Sequence, residues 1–206
     1  AYQCVDEQEK NVLVYDLGGG TFVVSDVKIS DDIVEVVSSH GNNQLGGDDF
    51  NNKIVDFLVK YIRKEYKFDA ESELKVMARL RHCAEQAKIA LSNCPFYQIQ
   101  EEYLFEQDGK AIHFQYELAR SDYEAMINSY VDDTFEAIHI ALNDTNLTVK
   151  EIDEVLLVGG STRTPLIQER LANEFGQLPR AELNPDLCVA AGAAIQAATI
   201  NGERTD

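Results

Sequence analysis

The sequence predicts an α/β fold. Two short runs of strand-forming residues, Val12–Tyr15 and Val155–Val158, each lead into a glycine-rich turn. These turns are Asp16-Leu17-Gly18-Gly19-Gly20-Thr21 and Val158-Gly159-Gly160-Ser161-Thr162-Arg163. Long stretches with apolar residues at helical spacing lie between and after them. Glycine in such a turn lets the backbone bend sharply and approach a ligand. Successive backbone N–H groups there form a concave anion site. Two such turns far apart in sequence predict one nucleotide held between two loops.

Residues 11–40 read as strands: the apolar run Val12–Tyr15, the β-rich stretch Thr21–Ile29, and Ile33–Ser38 after an Asp31-Asp32 turn. Breaks follow at Gly41-Asn42-Asn43 and Leu45-Gly46-Gly47. Phe50, Ile54, Phe57, Leu58, Tyr61 and Ile62 then recur at helical spacing. Asp48 and Asp49 stand where a helix N-terminus favours negative charge. A second helix is predicted over Glu71–Leu91, with Leu74, Met77, Leu80, Ala84, Ala87 and Leu91 on one face, and Asn93-Cys94-Pro95 stops it. Two strands follow, Tyr97–Phe105 and Ala111–Tyr116, joined around Gln107-Asp108-Gly109, because Asp-Gly is a hairpin signal. Ser121 and Glu124 form a capping box for a long helix to about Leu142. Val155–Val158 is a continuous apolar run, which fits a strand covered on both faces. A helix after Pro165 carries Leu166, Ile167, Leu171 and Phe175. A last helix opens with Asn184 as cap and Pro185 at its first position. Its small residues from Ala190 to Ala194 allow close packing.

The simplest organisation is a core of residues 1–45 and 128–206 with residues 46–127 inserted. At 206 residues the prior is one domain, or one carrying a large insertion. The formal net charge of −18 argues against a broad basic surface for nucleic acid. No apolar run reaches membrane-spanning length, so no membrane partner is expected. Residues 1–10 are polar and acidic, unlike a signal peptide. Cys4, Cys83, Cys94 and Cys188 lack any C-x-x-C spacing, which fits reduced thiols in a cytosolic protein. His40, His82, His113 and His139 are scattered, and no metal site built from them is expected.

In the first turn, Gly18, Gly19 and Gly20 can offer N–H groups to phosphate oxygens, and Thr21 adds a hydroxyl. Asp16 can hold a metal-bound water or orient an attacking one, which is what phosphoryl transfer requires. Taken alone, the same turn reads as a structural hairpin with an acidic edge. In the second turn, Arg163 can lay its planar guanidinium on an adenine face; taken alone, this is a strand-to-helix turn with a surface arginine. Glu85, Lys88 and Ser92 share one face of the second helix. Together they suit a ribose diol and a base edge. By themselves they read as a solvated charged face with a modest Glu85–Lys88 ion pair.

Combined, the segments resemble the Hsp70 chaperone family. The matching stretches are DLGGGTF (Asp16–Phe22), LGGDDF (Leu45–Phe50), AEQAKIALS (Ala84–Ser92), LLVGGSTR (Leu156–Arg163) and NPDLCVAAGAA (Asn184–Ala194), in the family's order and spacing. AEQAKIALS, with Ile89, is closer to the bacterial, DnaK-type branch than to the eukaryotic cytosolic one. The resemblance implies an actin-like (ribonuclease H-like) ATPase fold, of which this chain matches lobe II: subdomain IIA as the core and an α+β subdomain IIB as the insertion. Nothing here matches lobe I, with its phosphate loop and catalytic lysine. The chain ends at Asp206, before the family's interdomain linker and peptide-binding domain, and reads as a fragment of a longer cytoplasmic protein of protein folding and the stress response.

The resemblance also assigns roles. Asp16 and Thr21 are the catalytic candidates, with Asp16 serving the magnesium–nucleotide site. Gly18, Gly19, Gly20 and Thr21 resemble the second phosphate loop. Gly46, Glu85, Lys88, Ser92, Gly159, Gly160, Ser161 and Arg163 resemble the adenosine pocket, with Asp186 near it. The implied cofactors are ATP or ADP and Mg2+, bound in full only with lobe I. The implied partners are lobe I itself, a nucleotide exchange factor on IIB and a J-domain cochaperone partly on IIA. The implied parent is an ATPase that uses ATP to control binding of unfolded polypeptides, while this piece alone is expected to be inactive. Val23 departs from the pattern. The family usually places there a second aspartate involved with the metal ions, and valine offers a hard cation no oxygen. Two rival readings stand beside it: a sugar or acetate kinase or cell-shape protein of the actin-like superfamily, which shares the glycine loops but not LGGDDF or AEQAKIALS, and a non-catalytic module that binds cochaperones.

Overall fold

A computed structural model describes residues 9–30 and 33–180, together with helical positions 190, 192–194, 197 and 198. The predicted Asp31-Asp32 turn, the Asn184-Pro185 helix start and Asp186 lie outside the described residues. The chain is mixed α/β and divides into two compact units, Ala1–Gly46 with Thr134–Asp206, and Gly47–Asp133.

Among the described residues, the first unit is built on four strands: β1 (Lys10–Leu17), β2 (Phe22–Ser30), β3 (Ile33–Asn42) and β6 (Glu154–Val158). Their order is β3-β2-β1-β6. β1 pairs antiparallel with β2 and parallel with β6. Leu13, Tyr15, Leu17, Phe22 and Val24 are fully buried on one face of β1 and β2. The second half of helix α3 (Arg120–Thr145) packs there, because Tyr15 donates its hydroxyl to Thr134 Oγ1 at 2.8 Å. Asp26 lies on this face too, 1% exposed, and accepts from Thr145 Oγ1 at 2.7 Å. Helix α4 (Pro165–Phe175) starts with proline at its first turn and ends at Gly176, whose φ of 66° is the left-handed conformation that closes helices. Ile167 and Leu171 are its buried anchors, and the Arg170 guanidinium sits 4.4 Å from the Phe135 ring centroid.

β6 differs from expectation. Val155 and Leu157 are buried, whereas Leu156 and Val158 are only half-buried. On the edge of β6, the backbone at Leu156 also pairs in parallel with Arg180.

The second unit contains α1 (Gly47–Tyr66), α2 (Leu74–Leu91), the hairpin β4 (Phe96–Gln107) with β5 (Lys110–Ala119), and the first half of α3. Asp108 and Gly109 form its two-residue turn with φ of 51° and 72°, the double positive φ that Asp-Gly supplies. Aromatic rings join α1 to the hairpin: Phe57 to Tyr116 at 5.1 Å and Tyr61 to Phe114 at 6.1 Å. α2 starts at Leu74, after a 3-10 turn over Ala70–Ser72, rather than at Glu71. Its buried face is Val76, Leu80, Cys83, Ala84, Ala87 and Leu91, and Leu74 points to solvent at 86% exposure. α3 begins directly after β5, which places Ser121 inside the first turn rather than at its cap. The Arg120 N–H that opens the helix is taken by the Pro95 carbonyl at 2.8 Å.

Candidate functional site

In the first unit, β1 and β2 pair as far as Leu17 and Phe22, leaving Gly18–Thr21 as the connecting turn. The Gly18 N–H donates to the Thr21 carbonyl at 3.0 Å and closes the turn on itself. Gly18 therefore offers its amide to the turn rather than outward. Gly19, Gly20 and Thr21 are solvent-exposed. Among the described residues, no backbone hydrogen bond takes up the N–H of Gly19 or Gly20.

The second glycine turn leaves β6 at Gly159, whose φ is 86°, and continues as a 3-10 turn over Gly160–Arg163. Thr162, fully buried, donates its hydroxyl to the Gly159 carbonyl at 2.7 Å and fixes the turn. Ser161 Oγ donates to the Gly18 carbonyl at 3.2 Å, so the two glycine turns are tied to each other. Ser161 is buried and turns its hydroxyl toward the other loop, a supporting contact. Arg163 is exposed at the end of the turn.

Backbone contact tightens this arrangement. A Cβ on Gly159 would lie 2.3 Å from the Leu17 carbonyl oxygen. One on buried Gly46 would lie 2.3 Å from the Gly19 oxygen and 2.6 Å from the Gly20 nitrogen. Only glycine permits such approach. The Gly18–Thr21 turn is thus held between Gly46 and Gly159.

Asp16 is the last but one residue of β1, beside this turn. Its partial burial raises the carboxyl above the usual carboxylate range. Its directly paired neighbours are Val23 on β2 and Val158 on β6. Backbone N–H groups of exposed turn residues such as Gly19 and Gly20 suit an anion. Among the described residues, the side-chain oxygens that the sequence reading offered magnesium at this turn are the Asp16 carboxylate, between two valines, and the Thr21 hydroxyl. Among the described residues, no group of three or more histidine, cysteine or acidic side chains is placed to hold a metal.

In the second unit, Glu85, Lys88 and Ser92 lie along one face of α2. Lys88 is half-buried and donates to the Gly47 carbonyl at 3.0 Å, tying α2 to the start of α1. Burial lowers its pKa, with Asp48 and Glu85 acting in the opposite direction. Glu85 is exposed, and Ser92 Oγ lies 3.4 Å from the Lys88 carbonyl. A pocket of about 370 Å³ opens beside Glu85, lined by Asp48, Asn51, Asn52, Arg81 and His82.

The profile of the family described as "Hsp70 protein" matches residues 1–206. The chain is 43% identical over 196 residues to "Chaperone protein DnaK" of Thermosipho melanesiensis, covering 95% of this chain and 33% of that protein. It is 44% identical over 200 residues to the protein of the same name from Mycoplasma mobile, covering 97% and 33%. The chain belongs to the Hsp70 family. It spans about a third of the length of the curated relatives it matches. Family membership sets aside the kinase and cell-shape readings.

Sequence reasoning missed several residues that build the loops of this Hsp70 chain. Gly41 marks a break in the sequence. In the structure a Cβ there would meet the Phe22 carbonyl oxygen at 2.3 Å, so β3 passes close to the start of β2. Thr162 and Thr164 are buried, at 0% and 2% exposure, and only the polarity of STRT hinted that hydroxyls were needed to hold the turn. Asp26 gave no signal at all, since an isolated aspartate in a strand reads as a solvent-facing position.

Proposed function

We propose that this chain is the lobe II half of the nucleotide-binding domain of an Hsp70-type chaperone, with an actin-like fold. In this reading the first unit is subdomain IIA and the second is IIB. The observation that carries it is the hydrogen bond from Ser161 Oγ to the Gly18 carbonyl, which ties the two glycine turns together beside the solvent-exposed residues Gly19 and Gly20 with their backbone amides. Those amides and the Thr21 hydroxyl bind nucleotide phosphate oxygens. Gly46, Gly159, Gly160 and Ser161 hold the loops in place. Arg163 lies along the adenine face. On α2, Glu85 and Ser92 serve the ribose and base edge, with Lys88 fixing the helix. Asp186 contributes near the adenosine.

Asp16 orients the attacking water in the complete protein, where ATP is hydrolysed to ADP and phosphate. Its half-buried position holds the carboxylate in place beside the phosphates. Phosphoryl transfer needs several groups placed together, so this chain alone does not turn ATP over. The complete protein couples nucleotide state to the binding of unfolded polypeptides in the cytoplasm. Its partners are lobe I, a nucleotide exchange factor on the second unit and a J-domain cochaperone on the first.

Calorimetric titration with ADP, with and without a lobe I polypeptide, tests this. The chain alone binds weakly, well above micromolar, because each missing charge-assisted bond costs about 1.5–3 kcal/mol. Adding lobe I tightens binding. Submicromolar binding without lobe I, or no gain with it, contradicts the proposal.

A further inference from the structure

We infer that Asp26, Ser38 and Thr145 form a buried seat for one alkali-metal cation, between the sheet of the first unit and the end of α3. The seat is independent of the phosphate site proposed above.

The strand register places its oxygens together. Asp26 on β2 is paired directly with Ser38 on β3. Directly paired residues point to the same face, with Cβ atoms about 4.5–5.5 Å apart. Asp26 is 1% exposed, and its Oδ1 and the Ser38 Oγ are both buried without a hydrogen-bond partner. Two buried oxygens thus occupy neighbouring positions on one face, and neither bonds the other. One atom held between them satisfies both. The ladder is also interrupted at this point. Its register moves from Asp26–Ser38 to Val27–Val36, which makes Val37 an extra residue on β3. Such a bulge re-aims the side chains beside it.

Charge decides what that atom is. Asp26 Oδ2 accepts from Thr145 Oγ1 at 2.7 Å. Thr145 is the last residue of α3, and a helix C-terminus carries partial negative charge. A carboxylate is therefore buried against the negative end of a helix. Among the described residues, no ion pair relieves it. His40, on the same face of β3 as Ser38, is taken by Asp144 at 2.6 Å, and Lys28, two residues along β2, pairs with Glu9 at 2.7 Å. Buried charges are paired or coordinate metals, because leaving one alone is costly.

A water molecule would satisfy the two oxygens and leave the charge uncompensated. A divalent ion would leave an excess positive charge in the same interior, and it demands a larger or stricter oxygen shell. One monovalent ion balances one carboxylate. Carboxylate and hydroxyl oxygens are the ligands that suit a hard cation.

Urea denaturation of the chain in sodium chloride, in potassium chloride and in choline chloride tests the seat. Equal ionic strength in all three keeps the screening of the −18 net charge the same. In choline the carboxylate is uncompensated, and Asp26→Val is the more stable chain. Sodium or potassium in place of choline raises the folding equilibrium constant of the natural chain about tenfold, as expected for a cation at about ten times its Kd. Asp26→Val and Asp26→Asn gain less than about twofold, and Ser38→Ala gains about threefold less than the natural chain. Thallium(I), which stands in for potassium, gives a second readout. Its resonance is broadened more by the natural chain than by Asp26→Asn.

Equal midpoints of the natural chain in the three salts overturn the inference. So does an equal gain in the natural chain and in Asp26→Asn, since that gain belongs to the salt and not to the seat.

Discussion

Gly159→Ala is expected to be the most damaging single-methyl change at the glycine turns. Two independent costs act on one atom. The native φ of 86° lies in the left-handed region, where a side chain costs roughly 1–3 kcal/mol. The added Cβ would also stand 2.3 Å from the Leu17 carbonyl oxygen, 2.5 Å from its carbon and 2.9 Å from the Gly18 nitrogen. All three are backbone atoms of the β1 end, so no side chain can rotate away. Relieving the overlap means shifting β1 or β6, and overpacking of that kind costs about 1–3 kcal/mol. The sum, about 2–6 kcal/mol, is a large part of the roughly 5–15 kcal/mol that holds a domain folded. Urea denaturation followed by circular dichroism measures it. Gly20→Ala is the control, because a Cβ there meets nothing within 4 Å. It is expected to stay within about 0.5 kcal/mol of the natural chain. A Gly159→Ala midpoint equal to the natural one, or equal losses in both variants, refutes the steric argument.

Three further outcomes are expected. Asp26→Val stabilises the chain by about 1–3 kcal/mol in the same denaturation experiment. It removes a 1% exposed carboxylate whose Oδ1 has no partner, while Thr145 Oγ1 keeps the Ala141 and Leu142 carbonyls as acceptors. A destabilised variant would show that Asp26 is stabilising where it stands. Asp16→Asn raises the melting temperature slightly at neutral pH and has no effect in acid. Burial raises the Asp16 carboxyl on folding, so its cost is absent below the unfolded value of about 3.9 and grows as pH rises through the folded value. A gain that persists at low pH contradicts that cause. Arg163→Ala weakens ADP binding more than inorganic phosphate binding, as competition titrations with the two ligands would show. Equal losses would move Arg163 from the adenine to the phosphates.

How much of this was legible in the sequence depends on what kind of signal a residue carries. Asp108-Gly109 specified its turn because few dipeptides tolerate two positive φ values in a row. The α1 face was legible because its apolar spacing runs without interruption from Phe50 to Ile62. The start of α2 was not. Leu74 fits the helical period, yet it is exposed, and the buried stripe begins at Val76. Periodicity records which residues are apolar and not which way the first turn faces. The strand Val155–Val158 misled for a related reason, since an apolar run looks the same whether both faces are fully covered or one only half so.

The glycine turns show a different limit. A motif names residues together without separating those that meet a ligand from those that hold such residues in place. Gly18, Gly46, Gly159 and Ser161 all belong to the segments read as nucleotide-binding. Yet the Gly18 amide closes its own turn, Ser161 Oγ braces the Gly18 carbonyl, and Gly46 and Gly159 leave room for backbone on either side. These four form a frame, and Gly19, Gly20 and Thr21 are what it presents to solvent. Changing a frame residue should therefore lower stability and affinity together, since the turn is lost with the packing. Changing a presented residue should lower affinity and leave the denaturation midpoint where it was. Gly46→Ala and Thr21→Val place one variant in each class. If both lost affinity with no change in midpoint, Gly46 would be a ligand contact and the division between frame and presented residues would be wrong.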